Sequence, residues 1–565
     1  MPPICRWLVA GLLFPCAAMA QSAATSALTL ESGLPRAPEQ AAVVFEHADL
    51  AFTVDPSRKW LDGDASLTFR ALQPLQRLVV DLDRNYAIGS VSVDGVALPD
   101  DAWRNPEGRM TVELPTPLAK GASTVLRIVY GGHPHVASRA PWDGGFVWAT
   151  APTGEPWIGS AVQGEGCDLL WPCIDHPMGE PLLVDEAFTV PAPLVAPGNG
   201  VFVGMQEHDG WRTYRWRAKS PDTYAIVVNA GPYELLSAEY RSRFGNSIPL
   251  RFWHLRGNEA QARRLFAEFP LMLEFFEAYI GPYPFADEKM GVVETPYLGM
   301  EHQTVNAYGN GYRLDEFGYD WLLQHEFAHE WFGNQLTNVD WDDMWLHEGF
   351  GSYMQALYLQ WLRGDREYFA WLMNQRKAIR NQVPIVRGQA MTEEQVAGPE
   401  GAGNDIYYKG SLLLHTLRNL VGDEAFFAAT RQLVYGRGDP APDNFAPRYA
   451  GTRDFIDAVN AQAGKDYGWL FDVYLYSAKL PELVVERDAT GLSLRWKTEH
   501  DKPFPMPLEV RVDGRDVAVP MAGGHGRLEL PAHAVYTVDP HSKVLRAQPH
   551  IAAWQTWSAE RKKPE

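Results

Sequence analysis

The sequence predicts a multidomain α+β fold with a large N-terminal β-domain, a mainly α central domain and a small C-terminal β-sandwich. Three observations predict it. At 565 residues the chain exceeds what one hydrophobic core supports. Short runs that alternate apolar and polar residues fill roughly residues 38–235 and return after residue 480. Between about residues 256 and 479 the apolar spacing changes to three and four, the period of a helix.

The first twenty residues, MPPICRWLVAGLLFPCAAMA, carry one charge at Arg6, an apolar run from Trp7 to Phe14, and Ala18-Met19-Ala20 at the end. That arrangement reads as a signal peptide cleaved near Ala20. The expectation is an exported protein, periplasmic or secreted, with a linker over 21–37. No later stretch is apolar for long enough to cross a bilayer, so no transmembrane segment is expected.

In the β-domain (38–235), "RLVVDLD", "STVLRIVYGG" and "TYAIVVNAG" are strands separated by Gly, Pro and Asp turns. The catalytic candidate region (236–479) holds "NEAQARRLFAEFPLMLEFFEAYIG", "YDWLLQHEFAHEWFGNQ", "FGSYMQALYLQWLRG", "KGSLLLHTLRNLVG" and "RDFIDAVNAQAG", all helical in period. From Leu480-Pro481 (480–565), "ELVVERDATGLSLRWK", "LEVRVDGRDVAVPM" and "GRLELP" return to strands. Composition is that of an ordinary globular chain, and a formal charge of −20 argues against nucleic acid as a partner while favouring cationic ligands. Cys167 and Cys173 read as two buried thiols beside a cleft, with a disulfide as the alternative that export would permit.

The chemistry concentrates in "LQHEFAHEWFGNQLTNVDWDDMWLHEGF", residues 323–350. His325 and His329 stand at i and i+4 on a helix, so both imidazoles leave one face and can meet one Zn²⁺. Glu326 is placed to act on the water that the metal would activate. Glu348, after 18 intervening residues beyond His329, is the expected third ligand from a second helix. His347 points from another face and is expected to be structural.

HEFAHEWFGNQLT together with WLHEGF resembles the M1 family of zinc aminopeptidases, the gluzincins with HExxH-x18-E. "TYAIVVNAGPYE", "FFEAYIGPYPFADEKMGVVETPYLGMEHQT" and "YYKGSLLLHTLR" follow in family order, so the likeness runs over roughly residues 40–480. It implies a saddle-like N-terminal sheet, a thermolysin-like catalytic domain and one Zn²⁺ per chain. The family's G-x-M-E-N motif reads Leu298-Gly299-Met300-Glu301-His302 here. The resemblance implies that Glu301 binds the substrate's α-amino group, with Gly299 and Met300 beside the substrate. Leu298 and His302 depart from the motif. A second anchor is implied in "QGEGCDLLWPCID", with Glu165 as the carboxylate and Gln163 lining the cleft. Tyr407 of Y-Y-K-G, rather than Tyr408, is implied as the donor to the oxyanion.

The expected activity is therefore release of the first residue from peptides with a free N-terminus, with Glu326 as general base. The alternatives weighed are a thermolysin-like endopeptidase, epoxide hydrolysis as in one branch of the family, and a non-catalytic scaffold. The large helical domain that closes the cleft in many relatives has no counterpart before Glu565, so an open site accepting longer peptides is expected. The sequence assigns neither an oligomeric state nor a preferred first residue.

Overall fold

The computed structural model describes residues 27–561. The signal-peptide reading for residues 1–20 lies outside the described residues. The fold is a three-part α+β arrangement: a many-stranded N-terminal β-domain, a helical catalytic domain and a C-terminal region.

The N-terminal part is built on an eight-stranded sheet. Its long central hairpin pairs Val43–Asp55 with Trp60–Ala71, with Leu50 opposite Ala65. Alternation sets which face is buried: Ala48, Leu50, Phe52 and Val54 point inward with Leu61, Ala65, Leu67 and Phe69. Val43–Asp55 also pairs in parallel with Leu183–Pro191. These side chains share a core with Trp171, Cys167 and Cys173.

Cys167 and Cys173 form a disulfide, with Cα atoms 6.3 Å apart, which corrects the reading of two free thiols. The loop between them turns back because Cys173 and Asp81 exchange two backbone hydrogen bonds (3.0 and 2.8 Å). A one-turn helix over Cys167–Leu169 folds the first cysteine over the same core.

The strand Tyr233–Arg241 runs across residue 235 and pairs with Ser247–Leu255. Together with Met290–Glu294, Asn306–Tyr308 and Gly299–Met300 they make the five-stranded sheet on which the helices lie. Asp320 caps the helix Trp321–His329 by accepting from the Leu323 amide (3.1 Å). The helix Trp345–Arg363 ends at Gly364, whose φ of +95° suits glycine. It packs against Asn404–Val421 at a point where two glycines meet. A Cβ on Gly349 would stand 3.2 Å from the Gly410 Cα, so larger residues would force the helices apart.

After residue 480, two three-stranded sheets follow, Glu482–Arg487 with Gly491–Lys497 and His525–Glu529, and Leu508–Val512 with Arg515–Val519 and Tyr536–Val538. Leu494, Trp496, Phe504 and Val510 belong to the same core as the catalytic helices, so this part is fused to them by burial. The chain then adds a helix, Pro549–Arg561, that the all-β expectation for this region did not include. It docks through Gln555, which donates to the carbonyls of Lys377 (3.0 Å) and Ile379 (2.9 Å). Among the described residues no helix is long and apolar enough to cross a membrane.

Candidate active site

His325 and His329 project from one face of Trp321–His329 toward Glu348, which lies in the first turn of Trp345–Arg363. The two Nε2 atoms are 3.2 Å apart, and Glu348 Oε2 stands 3.4 Å from His325 and 3.5 Å from His329. A tetrahedral zinc with bonds of about 2.0–2.1 Å has ligand-to-ligand edges of about 3.3–3.4 Å. The three donors therefore already stand at the spacing of one zinc. The tautomer agrees, because His329 Nδ1 donates to the Phe332 carbonyl (2.9 Å) and leaves Nε2 as a lone-pair donor. Two nitrogens and one carboxylate are the donor set of a catalytic rather than a structural zinc.

Glu326 leaves the same helix toward a second group. Its carboxylate, that of Glu301 and a ring nitrogen of His329 all lie within 4.8 Å of one another. Burial pushes Glu326 well above the ordinary carboxylate range; His329 opposes this, and Glu301 and Glu348 add to it. A cation at the three ligands would reverse that balance. Gly299 makes the room, since any Cβ there would stand 2.5 Å from Glu326 Oε1. Met300, the next residue of that short strand, is buried in the catalytic core.

Glu301 is held from two elements of the N-terminal part. Gln163 Nε2 and the Tyr224 hydroxyl both donate to Oε1, each at 2.8 Å. Asn334, of the WFGN run, donates to the Glu301 carbonyl (3.1 Å). The predicted Gln163 and Glu301 thus meet, across 138 residues of chain. Glu165, the other expected anchor, lies in the same β-domain loop as Gln163, two residues further on. Burial raises its carboxyl, with His135 opposing and Asp143, Glu394 and Asp83 reinforcing.

Tyr407 lies in the first helical turns of Asn404–Val421, its ring stacked on His325 at 6.2 Å between centroids. Burial raises its phenol well above the ordinary range, helped by the charges of Glu348 and Glu301. Tyr408 packs against the hydrophobic core. His347 accepts from the Asn338 amide (3.0 Å), and burial lowers it to about 3, so it is a neutral structural residue.

The departures from the family motif differ in kind. Leu298 is partly buried and packs on the catalytic core. His302 is fully buried, neither ring nitrogen has a partner among the described residues, and burial lowers it to about 3.

Sequence reading missed three residues. Tyr224 was seen only as part of the strand-like "TYAIVVNAG". Glu330 follows the second zinc histidine and accepts from the Thr304 amide (2.9 Å) and Asn306 Nδ2 (2.7 Å), tying the helix to the sheet. Lys409 is buried and donates to the carbonyls of Ser477 (2.7 Å) and Ala478 (3.0 Å), anchoring the tyrosine's helix. Glu330 and Lys409 stand in runs quoted for the resemblance, HEFAHEWFGNQLT and YYKG, but nothing in those runs pointed to their buried partners.

Known proteins place this geometry. The Peptidase family M1 domain matches residues 270–474. Tricorn protease-interacting factor F2 of Thermoplasma volcanium is 21% identical over 394 residues, 62% of this chain and 46% of that protein. Leukotriene A-4 hydrolase of Xenopus laevis is 24% identical over 326 residues, 55% of this chain and 50% of that protein. The chain thus spans about half the length of these curated relatives. Among solved structures, a mutant two domain M1 zinc metallopeptidase bound to L-tryptophan superposes with a TM-score of 0.66 at 27% identity, over 79% of this chain and 96% of the other. A mutant M1 zinc metallopeptidase from Deinococcus radiodurans bound to a Tyr-Ser-Ala substrate gives 0.64 at 26%, with the same coverage. The chain thus carries a peptidase family M1 domain over residues 270–474 and is similar in fold to M1 zinc metallopeptidases.

Proposed function

We propose that this protein is a zinc-dependent aminopeptidase that removes the first residue from peptides with a free N-terminus. The observation that carries this reading is the place of Glu301: a buried carboxylate, oriented by Gln163 and Tyr224, beside the Glu326–His329 group. An ammonium group seated on it puts the first peptide bond, and no later one, against Glu326. A thermolysin-like endopeptidase has no use for such an anchor. The relative solved with Tyr-Ser-Ala supports a peptide substrate.

His325, His329 and Glu348 would hold the zinc, which when bound acidifies water and polarises the scissile carbonyl. Glu326 takes the proton of the attacking water and delivers it to the leaving amine. The Tyr407 hydroxyl donates to the oxygen on which negative charge develops. Glu301 accepts from the α-ammonium throughout, and the charge-assisted contact gains strength from its burial. The Cys167–Cys173 disulfide fits an oxidising compartment and supports export.

The test is the product series from a free decapeptide and a free dipeptide, read by mass spectrometry. The reading predicts stepwise loss from the N-terminus, abolished by a zinc chelator and restored by zinc. Internal cleavage as the first event contradicts it. A strict limit to dipeptides would remove the open-cleft expectation alone.

A further inference from the structure

Residues 28–33, part of the segment expected to be a linker, form an arm that bonds to both the β-domain and the catalytic domain. On the β-domain side the Leu28 amide donates to Asp83 (3.2 Å) and the Thr29 hydroxyl to Asp168. The Ser32 hydroxyl donates to the Asp175 carboxylate (3.1 Å), and the Gly33 amide to the Asp175 carbonyl (3.4 Å). On the catalytic side the Glu393 amide donates to the Ser32 carbonyl (3.1 Å) and the Thr392 hydroxyl to the Glu31 carboxylate (2.9 Å). Gly33, at a φ of +83°, lies against Trp341, where any Cβ would collide with the indole.

These contacts lead to the Glu301 pocket by two routes. Asp168 and Asp175 bracket the backbone just after Glu165: a Cβ on Gly166, whose φ is +117°, would stand 2.5 Å from Asp168 Oδ1 and 2.5 Å from Asp175 Oδ2. Their placement therefore sets where Glu165 and Gln163 lie, and Gln163 donates to Glu301 (2.8 Å). Burial and the charge of Asp175 raise the Asp168 carboxyl, and burial and the charge of Asp81 raise Asp175 to about 7; the Thr29 and Ser32 hydroxyls oppose both shifts. Two buried carboxyls that repel each other depend on such donors to stay in one place. By the second route, the Trp341 ring packs on Tyr224, 6.1 Å between centroids, and the Tyr224 hydroxyl donates to Glu301 (2.8 Å).

We infer that residues 28–33 are an interdomain strap that positions the amino-group pocket, with Thr29, Ser32 and Gly33 as positioning residues acting through Asp168, Asp175 and Trp341. This role rests on the aminopeptidase reading. The strap serves recognition of the α-amine, whereas His325, His329, Glu348 and Glu326 are set by their own two helices. The test is calorimetric binding of L-leucinamide and 4-methylpentanamide, which differ only in the α-amine, to full-length Glu326→Gln protein. Turnover plays no part in that comparison.

With the arm unaltered, leucinamide should bind about tenfold tighter or more. Thr29→Val with Ser32→Ala should bring the ratio to within about threefold, and each single change should move it part of the way. Thr29→Ser with Ser32→Thr keeps both hydroxyls and should keep the ratio. Gly33→Ala, which displaces Trp341 instead, should lower it. In protein that retains Glu326, Thr29→Val with Ser32→Ala should raise KM on a Leu-anilide about three- to tenfold, with kcat within about threefold and zinc content unchanged. A ratio that survives loss of both hydroxyls overturns the inference. So does a joint loss of kcat and zinc, which would make the arm a general stabiliser of the fold. Equal binding of the two amides with the arm unaltered overturns the aminopeptidase reading itself, and the strap's role falls with it.

Discussion

The His325–His329–Glu348 cluster and the surroundings of Glu301 lie within a few ångströms of each other but are built in opposite ways. His325, Glu326, His329 and Glu348 come from two helices close in sequence, and helical period alone sets their directions. The Glu301 pocket joins Gln163, Tyr224, Glu301 and Asn334, which the fold gathers from both the β-domain and the catalytic domain. The first kind of site survives wherever its helices survive. The second exists only while the two domains stay packed, so the metal cluster is local whereas the proposed counting of residues from the N-terminus is a property of the assembly.

Substitutions sharpen this contrast. Glu326→Gln should lower kcat by about 10³–10⁴ with KM held within about threefold, read by steady-state kinetics on a Leu-anilide. An equally large rise in KM would move Glu326 into substrate binding. Tyr407→Phe should cost about 10²–10³ in kcat. Tyr408→Phe, measured alongside, should leave the rate within a small factor, and the reverse order would exchange their roles. Glu301→Gln should lower kcat/KM for free amino substrates by about 10–100-fold, mostly through KM.

Tyr224→Phe should give the smallest effect, about three- to tenfold in kcat/KM, because it removes one hydrogen bond to Glu301. If Tyr224 acts only by orienting Glu301, its effect should largely disappear in the Glu301→Gln background. Full additivity of the two would show that Tyr224 contacts substrate by itself.

The same contrast explains what could be read from the sequence. HExxH and the glutamate 18 intervening residues further on need only helical geometry, and the fold class followed from the change between two-residue and helical periods. Gln163 and Glu301 were found through the family resemblance, but their contact was not, because it joins positions 138 residues apart. Tyr224 had no local signature, since a buried tyrosine in an apolar strand-like run looks the same whether its hydroxyl is used or not. Glu165 matched the family anchor by position, while the charges around it, His135 among them, come from the fold and could not be read from the sequence. The terminal helix Pro549–Arg561 was missed because its apolar face is thin, with Ile551 alone buried.

The central claim is that Glu301 makes the enzyme count from a free amino group. The most direct measurement compares hydrolysis of an aminoacyl-anilide with that of its N-acetylated form, with and without a zinc chelator. The account predicts cleavage of the free compound only, lost on chelation. Equal, chelator-sensitive cleavage of both would contradict it: the zinc site would stand, and Glu301 would not be the anchor.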